Sequence, residues 1–264
     1  MTAIRFAALV AIFMPVAVAG CSRTAAPPAS AATPSAVEIL GSGPGISMAR
    51  LVLGPGESRT IHAGPCQDVS VLVEKGAVKT SDDLRLASGR AARLSATTTL
   101  HAETEQGAEL FAAAVLSEAA SVNSVDWNAT PVHEACPEPS ATFRLSDPAD
   151  SGPFMHAENR LAVMIYLDAG SAARPVPSLG ALDGDPTLNV PEHIHETSAE
   201  VLWFQDGSGA MRVGDDTRPI RPGTFVYVPP NTIHGFEPDG TRPVFAYQVY
   251  TPSGPEQRFR TPNR

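Results

Sequence analysis

The run PEHIHETSAE, residues 191–200, places His193, His195 and Glu200 close together in a chain that holds seven histidines. A fourth polar residue, His234, closes the later run PPNTIH. His193 and His195 are two apart, so on a strand both imidazoles leave the same face. Glu200 is five positions past His195 and on an unbroken strand would face the other way. ETSA reads as a break after which the phase resets, so Glu200 opens the next strand, EVLWFQ. Strand TFVYV ends in the turn Pro229-Pro230-Asn231, and His234 follows. Three imidazoles and one carboxylate converging inside a β barrel form a ligand set for one divalent transition metal with positions left open. Fe, Mn, Ni, Zn and Cu all suit it, and donor softness alone does not choose. An HxH pair by itself fits a polar strand edge equally well; Glu200 and His234 in register are what point to a metal.

Such a metal can take dioxygen, a bidentate oxyanion or a substrate hydroxyl in its open positions. The candidate catalytic residues are those expected beside it. Glu192 precedes the HxH pair and is either a base or a solvated carboxylate at a strand start. Tyr227 and Tyr247 lie on strands expected to flank the site, as hydrogen-bond donors or as packing aromatics. One of Trp203 and Phe204 must face inward. Two segments read as covers. The run from Asp168 to Glu192 is a long loop entering the HxH strand, and long loops in compact domains are often lids. The C-terminal YTPSGPEQRF carries Arg258, which can meet a substrate carboxylate or stay solvated on a packed tail.

The elements that must position these residues are strands. Twenty-five prolines and 21 glycines punctuate the chain, separating short runs such as DVSVLVEKG, AELFAAAVL, RLAVMIYLDAG and VFAYQVYTP. Short strands at this spacing predict an all-β sandwich or barrel. A faint repeat is present. With Gly76 over Gly207, His62 falls on His193, Gly64 on His195 and Val69 on Glu200. With Gly89 over Gly223, His101 falls one residue short of His234. The expected organisation is a first β unit at 37–125, a linker at 126–154 and a second unit at 155–264 that ends in the cover segment. Only the second keeps the polar cluster. His133 and His156, in or beside the linker, default to solvent.

The second half resembles a cupin. The family's first motif, G-x5-HxH-x3–4-E-x6-G, is matched by His193, His195, Glu200 and Gly207, with Thr187 in place of the leading glycine. The second, G-x5-PxG-x2-H-x3-N, is matched by Gly223, Pro229 and His234, with Asn231 in place of glycine and Pro238 in place of the last asparagine. All four ligand positions are kept. The resemblance implies two tandem cupin (jelly-roll, double-stranded β-helix) barrels, the first degenerate, with one metal in the second. It leaves three functions open: an oxygenase-like enzyme using Fe(II) or Mn(II) on a small organic molecule, a non-catalytic ligand-binding or sensing protein, and a sugar isomerase or epimerase. No phosphate-gripping Arg/Lys cluster near the motifs supports the last.

The N-terminus reads as an export signal over 1–20, with an apolar run from Phe6 to Val18 too short to span a bilayer. Val18-Ala19-Gly20-Cys21 resembles the lipobox of bacterial lipoproteins, which implies cleavage before Cys21, lipidation of that cysteine and, with Ser22 following it, an outer-membrane address. The Ala/Pro/Ser-rich stretch 21–36 is expected to be a tether. The lipid is the expected membrane contact, and the barrels face the periplasm or exterior. Removing Cys21 leaves Cys66 and Cys136, an even pair that suggests one disulfide in an oxidising compartment. A net charge of −9 and the lack of a basic patch argue against nucleic acid. A small-molecule ligand or substrate and a monomeric state are expected.

Overall fold

The computed structural model describes residues 36–64, 66–94, 96–116, 125–128, 144–147, 150–170 and 175–261. The export signal, Cys21, all but the last residue of the tether, His133 and Cys136 lie outside these described residues. Ala36, counted with the tether, opens the first strand.

The first half forms strands β1 (Ala36–Gly43), β2 (Ile46–Leu53), β3 (Ser58–Ile61), β4 (Gln67–Thr80) and β5 (Arg85–Ala87). It continues with β6 (Ala91–Leu94), β7 (Thr98–Ala102), β8 (Ala108–Leu116) and β9 (Arg144–Leu145). Their main sheet runs β1-β2-β8-β4-β6-β9, with β3 on β7 and both β5 and β7 on β4. Strand β4 serves both sides of this barrel. Its first part pairs with β6 and β8, its last part with β5 and β7, and its register slips between Val73 and Lys75. A bulge of this kind bends a strand and raises its twist, which lets one strand turn the barrel's corner.

The second half forms β10 (Phe154–His156), β11 (Leu161–Leu167), β12 (Leu179–Gly184), β13 (Val190–His193) and β14 (Ala199–Asp206). Then come β15 (Gly209–Val213), β16 (Asp216–Ile220), β17 (Phe225–Val228), β18 (His234–Pro238) and β19 (Val244–Thr251). They make two sheets, β10-β11-β12-β19-β14-β17 and β13-β18-β15-β16. A short 3-10 turn, Pro255–Arg260, follows β19. The architecture is two tandem jelly-roll barrels, as the sequence predicts. Strand β12 corrects one expectation. The run from Asp168 to Glu192 is not all loop, because Leu179 and Ala181 are buried and place β12 between β11 and β19.

Three apolar clusters explain the sequence pattern. One fills the first barrel with Leu51, Val69, Val71, Leu110, Ala112, Ala114 and others. A second lines the second barrel with Leu202, Phe204, Met211 and Phe236. The third lies between the barrels and takes side chains from both. On β8, Leu110, Ala112 and Ala114 point into the first barrel while Phe111, Ala113 and Val115 point at the second. On β14, Leu202 and Phe204 point inward while Val201 and Trp203 point at the first barrel. A strand buried on both faces has no polar face to show, hence the unbroken apolar runs. The segment 126–154 also contributes: Trp127 is buried in the first barrel's cluster and its indole N–H donates to Ser47 Oγ at 3.0 Å, while β9 extends β6.

A polar knot crosses this interface. Tyr247 donates its hydroxyl to Glu74 at 2.6 Å, Arg50 approaches the same carboxylate at 3.7 Å, and the Arg50 guanidinium lies 5.3 Å from the Trp203 ring centre. Strand β1 lies against β17 at Gly41 and Gly43. A Cβ on Gly41 would come within 2.2 Å of the Phe225 ring. Gly41→Val is therefore expected to overpack the junction and destabilise the protein by about 1–3 kcal/mol, read as a lowered thermal midpoint with unchanged secondary structure by circular dichroism.

Candidate metal centre

The four side chains singled out by spacing meet in the second barrel. His193 is the last residue of β13, His195 lies in the turn after it, Glu200 sits on β14 and His234 is the first residue of β18. Strand β13 stops two residues earlier than an unbroken HxH strand requires. The outcome for the side chains is the same: Ile194 between them is exposed while His195 is buried. His193 and His234 are direct cross-strand partners. The turn carrying His195 is pinned by the Asn231 N–H donating to the His195 carbonyl at 2.7 Å. Asn231 stands where the resemblance expects glycine, and it has φ 55°. That left-handed backbone is what glycine supplies freely and asparagine tolerates better than most residues. The departure from the motif is thus conservative in conformation.

One candidate ligand atom from each of the four residues lies within 4.8 Å of the others. Glu200 is only 4% exposed. Its Oε2 faces His234 Nε2 at 2.9 Å and His195 Nε2 at 3.2 Å. Its Oε1 accepts from the Gln248 amide and from the Tyr250 hydroxyl at 3.4 Å. Burial by itself would push this carboxyl's pKa up. The hydrogen bonds and charges of His195 and His234 outweigh it and hold the group well below the usual carboxylate range. His234 Nδ1 faces the Thr232 carbonyl at 2.8 Å and His193 Nδ1 the Pro191 carbonyl at 2.8 Å. Those contacts make Nδ1 the protonated nitrogen in the neutral ring and turn each Nε2 lone pair toward the cluster. His193 Nε2 is buried with no hydrogen-bond partner among the described residues. An orphaned imidazole nitrogen beside two more imidazoles and an ionised carboxylate fits a divalent transition metal.

The cluster forms part of the wall of a cavity of about 430 Å³. Glu192 lines it, but its carboxylate is hydrogen-bonded and ion-paired to Arg212. Arg258 lines it from the 3-10 turn, and its guanidinium reaches the Tyr250 hydroxyl at 3.4 Å. The C-terminal segment thus brings Arg258 and Phe259 to the cavity wall. Tyr227 and Tyr247 do not flank the site. Inward residues on β19 are Val244, Ala246, Gln248 and Tyr250, so Tyr247 has the opposite parity and faces the first barrel. On β17, Val228 pairs with Glu200 and points inward, which sends Tyr227 outward to the same interface. Of Trp203 and Phe204, Phe204 is the inward one.

Three residues at the site escape the sequence argument. Gln248 and Tyr250 share a face of VFAYQVYT, but nothing in that run says which face is inward. His156, expected in solvent, is 6% exposed, lines the cavity and meets the Phe259 carbonyl at 2.7 Å. The first barrel carries none of this chemistry at the matching places. Val69 pairs with Leu94 on β6 and Ala114 on β8, as Glu200 pairs with Val228 on β17 and Tyr250 on β19. Val69 is fully buried among apolar neighbours. Thr98, not His101, opens β7 as His234 opens β18. His101 is exposed at the other end and contacts Ser58 Oγ at 2.8 Å.

Fold and site together define a two-barrel protein with, among the described residues, one cluster of three histidines and one glutamate. Residues 185–250 match the family model described as Cupin domain. No curated protein sequence matches the chain. Among solved structures it is similar to a Bacillus subtilis oxalate decarboxylase studied for its Mn(II) centers, at a TM-score of 0.60 and 14% identity over 80% of this chain and 70% of that one. It is likewise similar to the Lactobacillus farciminis oxalate decarboxylase in its formate complex, at a TM-score of 0.60 and 14% identity over 80% of this chain and 78% of that one. At this identity the likeness shows the fold, that of tandem cupin barrels.

Two outcomes follow. Gln248→Leu leaves Glu200 Oε1 without its amide donor and is expected to weaken metal binding about tenfold to a hundredfold in a metal titration. Acid should weaken it too. Burial would lower the His234 pKa, but the Glu200 hydrogen bond and charge outweigh it, so His234 keeps its proton above the ordinary value. Proton and metal compete for its Nε2, so Mn(II) affinity should fall by up to about tenfold per pH unit once the pH drops below that raised pKa. Burial lowers the His193 pKa, so that ring stays available further into acid.

Proposed function

We propose that this protein is an exported, lipid-anchored metalloenzyme whose second barrel holds one Fe(II)- or Mn(II)-class ion and acts, in oxygenase-like fashion, on a small organic molecule. The observation that carries the reading is an ionised, buried Glu200 among three imidazoles on the wall of a cavity of about 430 Å³. When bound, the ion supplies a Lewis-acidic, redox-capable centre with positions open to substrate or dioxygen. The chain's own residues bind, orient and exclude water. Gln248 and Tyr250 fix the carboxylate, the apolar walls keep the cavity dry, and Arg258 offers a positive charge to an anionic group. Glu192, tied to Arg212, serves the rim rather than acting as a base. The degenerate state of the first barrel is supported by Val69 at the place of Glu200, and its role is to cover the second barrel's sheet. That mutual cover also supports a monomer. The anchor at Cys21 and the outer-membrane address rest on the lipobox resemblance. The Cys66–Cys136 pairing rests on the even cysteine count and on a buried, disulfide-bonded Cys66.

The test is elemental analysis of residues 36–264 from a periplasmic host, beside a His195→Ala, His234→Ala double variant. About one equivalent of metal in the parent, lost in the variant, is expected. Stoichiometric metal without turnover of organic acids or dioxygen would leave a ligand-binding protein instead. No metal after reloading would sink the centre. In the full chain, Cys21→Ser should move the protein from the membrane fraction to the soluble one.

A further inference from the structure

We infer that the cavity is built for a monocarboxylate with an extended apolar body, its carboxylate at Arg258 and the metal centre and its hydrocarbon against the barrel wall. The inference deepens the proposed function and rests on it for the metal end alone.

The wall facing the cluster is hydrocarbon. Leu161, Leu182, Leu202, Phe204, Met211 and Phe236 line it, and their strands belong to both sheets of the second barrel. In the first barrel the corresponding interior is filled by its own side chains, including Trp127 from the segment between the barrels. The second barrel leaves about 430 Å³ open instead. Apolar walls of this extent reward a ligand that brings hydrocarbon to them, and a volume in this range suits a ligand far larger than a two-carbon dianion. Oxalate would leave the wall uncovered.

The charges at the rim are unequal. Three carboxylates line the cavity and each is already engaged: Glu200 by His195 and His234, Glu192 by Arg212, and Asp185 by the Thr187 hydroxyl at 2.6 Å. Arg258 is the one Arg or Lys among the described lining residues, and no carboxylate lies within ion-pair distance of it among the described residues. Its guanidinium touches the Tyr250 hydroxyl, which itself donates to Glu200. An exposed cation one hydroxyl away from the metal ligands, above an apolar chamber, selects one anionic head and one apolar tail.

The experiment is calorimetric titration of the purified protein with straight-chain carboxylates from butanoate to decanoate, with oxalate and with the matching alcohols. It is run metal-free and with one equivalent of Mn(II), on the parent and on Arg258→Gln. Arg258 is exposed, so the variant should fold. The expected result is a gain of about fourfold in affinity per methylene until the chamber is full, with oxalate far weaker than octanoate. Arg258→Gln should weaken carboxylates at least tenfold and leave the alcohols unchanged. A flat dependence on chain length, oxalate binding as tightly as octanoate, or carboxylates indifferent to Arg258→Gln would overturn the inference. A chain-length gain in protein that refuses Mn(II) would uphold it while sinking the metal centre. Mn(II) uptake without any chain-length gain would do the reverse.

Discussion

A carboxylate kept ionised inside an apolar barrel is the constraint around which the second half of this protein is arranged. Moving such a group out of water is costly unless every lone pair finds a donor or a cation. Glu200 meets that demand on both oxygens, with an amide and a phenol behind it and two imidazoles in front. Each of those partners must in turn be held. Gln248 and Tyr250 sit on β19, the neighbouring strand. His234 is fixed through Nδ1 by the backbone just before it, and the turn of His195 hangs from Asn231. The left-handed Asn231, the break after β13 and the start of β18 all follow from bringing those rings to one carboxylate.

The two barrels show what the same plan does with and without that carboxylate. Where Val69 replaces Glu200, the interior closes on itself with small and branched apolar side chains and gains a tryptophan from outside the barrel. Where the carboxylate stays, space remains beside it. Each barrel presents an apolar sheet face that water would penalise, and each covers the other's. The polar knot of Arg50, Glu74 and Tyr247 sits within that dry contact, and burial with the Glu74 hydrogen bond pushes the Tyr247 phenol far above its ordinary pKa. It fixes how the barrels register rather than what the cavity does.

The sequence carried the ligands and the strand architecture well because both are local. The spacing of His193, His195, Glu200 and His234 is a pattern of neighbours, and punctuation by Gly and Pro marks strands. What it carried poorly was facing. Strands such as β8 and β14 are apolar on both sides, so alternation gives no phase. Without a phase Tyr247 and Tyr250 are equivalent, and only the fold shows that Tyr250 is the inward one. Once Glu200 is taken as inward on β14, antiparallel pairing to β19 fixes the parity and selects Tyr250 and Gln248. His156 could not be found this way. Its burial depends on the Phe259 carbonyl, from a turn a hundred residues later. Strand β12 was hidden for a simpler reason: turn-forming residues surround it on both sides.

The two tryptophans have an optical consequence. Trp127 is sealed inside the first barrel, and Trp203 is stacked near Tyr247 in the contact between barrels, with its ring planes 10° apart. Neither lines the chamber. Intrinsic emission from this protein therefore reports on the packing of the first barrel and on the seam, and is blind to what enters the second. Replacing Trp127 with Phe would leave Trp203 as the sole emitter and turn that emission into a gauge of the seam alone.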